Sequence, residues 1–162
     1  MLKVGDRAPD FSAPIAGGGE FVLSSFLGKK CVVLSFYPRD FTPGCTEQAC
    51  SYRDAYAEID ALGAVIAGIS ADSEERHERF ADTHGLPYPL ISDPDQRLSE
   101  EYGVRRLFGL VPLLKRVTYV IDRRGVIRNV IHHEFRIGQH IGEIQASLRE
   151  LEQESANGSA SR

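Results

Sequence analysis

The chain lacks any apolar run approaching the roughly 18 residues that cross a bilayer, so no membrane-spanning helix is expected. Its first residues, MLKVGDRAPDF, lack the apolar core of a signal peptide, and no export signal is read there. Neither sign of charge dominates. Nineteen Lys and Arg stand against 23 Asp and Glu, and the formal net charge of −4 gives no footing for nucleic acid or an anionic membrane surface. Cysteine is sparse. Three residues without an export signal point to a reducing compartment, the cytosol, where a close pair is more readily catalytic than structural. No internal repeat and no linker divides the chain. What is present is ordinary: 162 residues, 42% hydrophobic and 26% charged, enough for one domain with a core and short for two.

The informative stretch runs from Phe36 to Cys50, FYPRDFTPGCTEQAC. It follows an apolar run, Cys31–Tyr37, whose β-branched and aromatic residues predict a buried strand ending at Pro38. After Pro43 the period changes. Cys45, Ala49, Tyr52, Tyr56 and Ile59 recur at spacings of four and three and mark one face of a helix over Cys45–Leu62. Thr42 suits the N-cap, and Pro43 suits the first helical position, where its missing N–H costs nothing. Cys45 thus falls in the first turn of a helix after a strand. Unpaired amides and the helix dipole favour an anion there, so a thiol tends toward its thiolate and Cys45 becomes a candidate nucleophile. The plainer alternative is a small buried hydrophobe on the apolar stripe.

The rest reads as one α/β unit. Phe11–Ile15 and Glu20–Leu23, bracketed by Pro14 and three glycines, predict a β-hairpin. Ala64–Ser70 is a second buried strand, completing a βαβ unit with a parallel pair. A helix capped by Asp72 or Ser73 follows, with His77, Phe80, Ala81 and His84 on one face and Gly85 as its stop. Leu90–Ser92 predicts a short strand and Gln96–Tyr102 a short helix, while residues 103–115 carry no regular signal and read as irregular. Arg116–Ile121 and Val126–His133 alternate around Asp122-Arg-Arg-Gly125, a hairpin. Ile137, Ile141, Ile144, Leu148 and Leu151 line an amphipathic helix, and the small polar residues 154–162 predict a disordered tail after a domain of residues 1–153. This order suggests a mixed sheet flanked by helices.

Pro38-x-x-x-Thr42-x-x-Cys45, within FYPRDFTPGCT, resembles the active-site motif of the peroxiredoxins, and Cys50 is similar in place to the resolving cysteine of the bacterioferritin-comigratory (PrxQ) subfamily. The resemblance extends, more loosely, from Gly5 to Leu151. It implies a thioredoxin-like fold with an N-terminal β-hairpin extension. It also implies a thiol peroxidase that reduces hydrogen peroxide and organic hydroperoxides without metal, flavin or other cofactor. Cys45 would be the peroxidatic cysteine, oxidised to a sulfenic acid, and Cys50 would condense with it into an intramolecular disulfide that thioredoxin or another dithiol reopens. Thr42 would hydrogen-bond the thiolate and the peroxide, and Pro38 would shield the sulfur from water. Arg116 opens Arg116-Val-Thr-Tyr-Val-Ile-Asp122, similar to the family's R-x-x-F-V-I-D, and would stabilise the thiolate and the charge on the leaving oxygen. Gln48 departs from the Glu of many relatives.

Each assignment has a plainer counterpart: a cap for Thr42, strand termination for Pro38, a solvated strand end for Arg116 and an idle thiol for Cys50. Five residues of helix separate two Cα atoms by about 8.6 Å, whereas a disulfide needs less than about 7 Å. Cys45 and Cys50 therefore cannot join while the helix is intact. Because that disulfide needs no second chain, a monomer is expected. A thioredoxin-fold disulfide reductase is the nearer rival, although its spacing would be C-x-x-C rather than C-x4-C. A zinc module built from Cys45, Cys50 and histidines is the rival from another class.

Overall fold

The computed structural model describes residues 1–108, 110–133 and 136–160. A small antiparallel pair, β1 (Ser12–Pro14) and β2 (Glu20–Val22), opens the chain and leads through a 3-10 turn at Leu23–Phe26 to β3 (Cys31–Phe36). Then follow α1 (Pro43–Ala61), β4 (Ala64–Ser70), α2 (Glu74–His84), β5 (Leu90–Ser92) and α3 (Arg97–Glu101). The chain continues with β6 (Arg105–Phe108), β7 (Val111–Leu114), β8 (Val117–Ile121), β9 (Ile127–Ile131) and α4 (Ile137–Ala160).

Five strands form the central sheet in the order β5-β4-β3-β8-β9. Strand β3 lies in its middle, parallel to β4 with Val33 opposite Ile66, and antiparallel to β8 with Leu34 opposite Tyr119. All six β3 residues are buried, because both faces of the sheet are covered. Val32, Leu34 and Phe36 face a core shared with Phe21, Leu23, Leu98 and Tyr102, from the N-terminal hairpin side and α3. Cys31 and Val33 face Ala49, Tyr52 and Ile59 of α1, Phe80 of α2 and Ile144, Leu148 and Leu151 of α4. The expected mixed sheet between helices is therefore present, with the hairpin as its extension.

Two stretches differ from the sequence reading. Residues 103–115, apart from residue 109, which lies outside the described residues, are not irregular: β6 and β7 pair antiparallel, Leu107 opposite Pro112, and Lys115 N–H closes the base on the Val104 carbonyl at 2.8 Å. The pair stands outside the main sheet and leaves Leu107 and Leu110 exposed, so the inside–outside alternation that betrays a strand is missing. Helix α4 also runs on to Ala160, through residues read as a disordered tail. Extending an existing helix costs little per residue, and Arg128 Nη2 holds Glu154 through both carboxylate oxygens, at 2.7 and 2.9 Å. Residues 161 and 162 of that predicted tail lie outside the described residues.

Candidate active site

The sheet's central strand delivers the site. β3 ends at Phe36, the chain turns through residues 37–42, and α1 starts with Pro43 in its first turn. The first bond of the helical ladder runs from Thr46 N–H to the Thr42 carbonyl at 2.8 Å, so the amides of Gly44 and Cys45 precede it. Thr42 occupies the N-cap with extended dihedrals, but its side chain does not cap. Its hydroxyl instead donates to the Arg39 carbonyl at 3.0 Å, which corrects the expected side-chain cap. Pro38 is half-buried at the strand end.

Cys45 is 2% exposed, and its sulfur is not packed among apolar groups alone. Arg116 Nη2 donates to Cys45 Sγ at 3.3 Å. Arg116 is itself buried and one residue ahead of β8, so it is no solvated strand end. Its Nη1 donates to Gln48 Oε1 at 2.7 Å. Its Nε is buried without a hydrogen-bond partner among the described residues. A guanidinium in this position offers the sulfur a charge-assisted hydrogen bond.

Behind the arginine runs a polar chain that fixes its pose. Gln48 Nε2 donates to the Tyr52 hydroxyl at 2.8 Å, and that hydroxyl lies 3.0 Å from Ser35 Oγ and 3.2 Å from Thr118 Oγ1. Thr118 Oγ1 is 3.2 Å from His140 Nδ1, while His140 Nε2 is 3.0 Å from the His133 carbonyl. A carbonyl only accepts, so Nε2 carries the imidazole proton and Nδ1 accepts from Thr118. Burial pushes His140 below its ordinary value, and the positive charge of Arg116 adds to this, which keeps the ring neutral. Burial likewise raises Tyr52, so it remains a donor. The amide orientation of Gln48 follows from both ends of the chain: its oxygen must face Arg116. As a neutral acceptor it orients the guanidinium without sharing its charge.

Sequence reasoning missed Ser35, Tyr52, Thr118 and His140 as members of this chain. His140 had a signal, since it stands three residues after Ile137 and four before Ile144, on the apolar stripe of α4. The other cysteines differ from Cys45. Burial pushes the Cys31 thiol up, only partly opposed by Arg123, so Cys31 stays protonated inside the sheet. Cys50 is half-buried on α1, in an open hollow with Glu47, Asp54 and Ile141. Cys45 and Cys50 are both free thiols on one unbroken helix. Among the described residues, Asp40, Asp72 and His77 are the one group of three or more metal-ligating side chains with clustered donor atoms, and it contains neither cysteine. Among the described residues the zinc alternative therefore finds no ligand set around Cys45 and Cys50.

The family described as AhpC/TSA matches residues 4–130 of the chain. The sequence is 43% identical over 148 residues to the chloroplastic peroxiredoxin Q of Sedum lineare, covering 91% of this chain and 78% of that one. Among solved structures it is similar to the peroxidoxin BcpB of Mycobacterium tuberculosis, with a TM-score of 0.87, 36% identity and coverage of 93% and 99%. It is also similar to a Xanthomonas campestris bacterioferritin comigratory protein studied for alkyl peroxide reduction, with a TM-score of 0.82, 26% identity and coverage of 88% and 92%. The architecture is accordingly the thioredoxin-like fold of the peroxiredoxins with its N-terminal hairpin.

Proposed function

The chain belongs to the AhpC/TSA family of peroxiredoxins, and from that premise we propose that it is a thiol peroxidase whose nucleophile is Cys45. The observation that carries the assignment is the 3.3 Å contact of Arg116 Nη2 with Cys45 Sγ at the start of α1. The Cys45 thiolate attacks the terminal oxygen of a hydroperoxide. An S–O bond forms, the O–O bond breaks, and the leaving oxygen takes a proton to become an alcohol, or water when the substrate is hydrogen peroxide. Negative charge grows on that oxygen as it leaves, and the unpartnered Nε of Arg116 supplies a buried donor for it. Thr42 spends its hydroxyl proton on Arg39, which leaves its lone pairs to accept from the peroxide O–H. Pro38 limits water at the sulfur.

Cys50 then attacks the Cys45 sulfur, water leaves, and a disulfide forms within one chain. A dithiol reductant, thioredoxin by this reading, attacks the disulfide, restores both thiols and leaves as its own disulfide. The cycle needs one protomer and one domain, in the cytosol. Organic hydroperoxides are included as substrates because the Xanthomonas relative is described by its alkyl peroxide reduction. The test is consumption of hydrogen peroxide and an alkyl hydroperoxide by purified protein, with dithiothreitol in one arm and thioredoxin, its reductase and NADPH in the other. Turnover in both arms is expected. No peroxide loss in either arm would overturn the peroxidase reading, and loss with dithiothreitol alone would overturn thioredoxin as the reductant.

A further inference from the structure

Phe41, four residues ahead of the nucleophile, has a φ of +64°. That left-handed conformation is unfavourable for a bulky side chain and persists only where its surroundings impose it. The surroundings here act on its neighbour, Asp40. Asp40 is 1% exposed and is tied from four directions. Its Oδ1 accepts from the Tyr37 hydroxyl at 2.5 Å, and its Oδ2 lies 2.6 Å from His77 Nδ1. Its amide donates to Asp72 Oδ2 at 2.8 Å, and its carbonyl accepts from Arg76 Nη2 at 3.1 Å. The ring of Phe41 packs edge-on against Phe80, with Arg76 Cζ 5.3 Å above it.

His77 is fully buried and joins this turn to the sheet. Its Nε2 is 3.0 Å from the Ile91 carbonyl in β5, which can only accept, so Nε2 carries a proton. At Nδ1 it faces the Asp40 carboxyl at hydrogen-bond distance, and a single further proton lies between the two groups. The three clustered groups Asp40, Asp72 and His77 form a brace rather than a metal site, because their donor atoms are already engaged. Asp72 Oδ2 accepts from Ser70 Oγ as well as from Asp40, and Asp72 Oδ1 lies 3.0 Å from Arg76 Nε.

We propose that His77 is a positioning residue for the peroxide reaction: through Asp40 it braces the strained turn of residues 38–42 against α2 and β5, and so holds Cys45 in the folded first turn of α1 beside Arg116. This rests on the peroxidase reading of Cys45. The brace favours the folded form, in which Cys45 takes oxygen from the peroxide. It opposes the unwinding that lets Cys50 reach the Cys45 sulfur and expel water. The two steps therefore respond to its loss with opposite signs.

The test compares His77→Gln with His77→Asn. The Gln amide reaches the place of Nε2 and keeps a donor for Ile91 while Asp40 loses its partner. The shorter Asn amide stands near Nδ1 and keeps the donor for Asp40. Sulfenic acid and disulfide are followed separately by trapping and mass spectrometry after mixing with hydrogen peroxide, and amide exchange of residues 41–46 is measured on the reduced protein. For His77→Gln, sulfenic acid formation is expected to slow and local exchange to quicken, each on the order of tenfold for a lost charge-assisted bond, while disulfide closure quickens. His77→Asn, which keeps the Asp40 bond and gives up the one to Ile91, should fall between His77→Gln and wild type in all three. Identical behaviour of the two variants, or both steps moving in the same direction in His77→Gln, would overturn the brace. If His77→Gln fails to fold, Asp40→Ala removes the same bond from the turn and is read by the same two steps. A wild-type protein that forms no sulfenic acid at Cys45 would overturn the peroxidase reading itself, whereas normal wild-type oxidation with an unmoved His77→Gln overturns the brace alone.

Discussion

Gly44→Ala separates the stability of the site from its chemistry. A Cβ at Gly44 would stand 2.9 Å from Ile137 Cδ1 and 3.3 Å from Arg116 Nη2. The first distance is too short to persist, but Cδ1 is the free end of a flexible side chain and can swing away. Overpacking of this kind costs about 1–3 kcal/mol in a rigid core, and less where one methyl yields. Exchanging Gly for Ala returns up to about 1 kcal/mol of helix propensity. The two effects nearly cancel, so the melting temperature should move by no more than about 2–4 °C for a chain of this size. Arg116 has less room to yield. Its Nη2 is also 3.3 Å from Cys45 Sγ, and a shift of a few tenths of an ångström away from the new methyl weakens that contact. Losing part of a charge-assisted bond worth about 1.5–3 kcal/mol slows Cys45 oxidation about three- to tenfold. The chain has no tryptophan to report oxidation by fluorescence, so the rate is best read by competition with a haem peroxidase for peroxide. Adding Ile137→Val relieves the first clash and not the second, and should recover stability without recovering rate. Oxidation of Gly44→Ala at the wild-type rate would refute the idea that Arg116 acts from where the structure places it.

Other expectations follow from the same geometry. Arg116→Ala should slow the oxidation of Cys45 by on the order of 10- to 100-fold, the full value of that charge-assisted bond, in a protein that still folds; an unchanged rate constant would leave Arg116 structural. In the reduced protein, amides 46–51 should be protected as helix, and in the disulfide form they should exchange freely; equal protection in both, with the Cys45–Cys50 bond verified by mass spectrometry, would contradict unwinding. Asp122 bears on stability: burial alone would raise its carboxyl, but the Val126 and Arg124 amides and the Arg128 guanidinium hold it below its ordinary value. Its stabilising contribution is therefore complete above the unfolded carboxylate range and lost as pH falls through the lower folded value. Denaturant titrations should show Asp122→Asn less stable than wild type at neutral pH, with the gap closing in acid; a gap independent of pH would mean that the carboxylate charge is not involved.

Much of this was legible because local signals and tertiary demands agree. The Thr42-Pro43 start places Cys45 in the first turn of α1, and the alternation around Asp122–Gly125 places Arg116 at the head of a sheet strand. The rest depends on what folds against what. The Thr42 hydroxyl turned from the helix to the Arg39 carbonyl because the turn before it is bent at Phe41, and nothing in a Thr-Pro pair reports a neighbour with positive φ. Tyr52 reads as one more member of an apolar stripe until Ser35 and Thr118 arrive from two different strands. Asp40 and His77 are 37 residues apart, and their bond exists only because α2, packed on β5, sets His77 against the turn that follows β3. Strands β6 and β7 escaped because they pair with each other alone.

The central claim is that Cys45 is the atom that meets the peroxide. It is tested most directly by giving fully reduced protein one equivalent of hydrogen peroxide, quenching with a thiol-blocking reagent and mapping all three cysteines by mass spectrometry. The account predicts a disulfide between Cys45 and Cys50 with Cys31 still reduced, a sulfenic acid held at Cys45 in Cys50→Ser, and no peroxide consumed by Cys45→Ser. Peroxide consumption by Cys45→Ser at the wild-type rate, or first oxidation at Cys31 or Cys50, would contradict it.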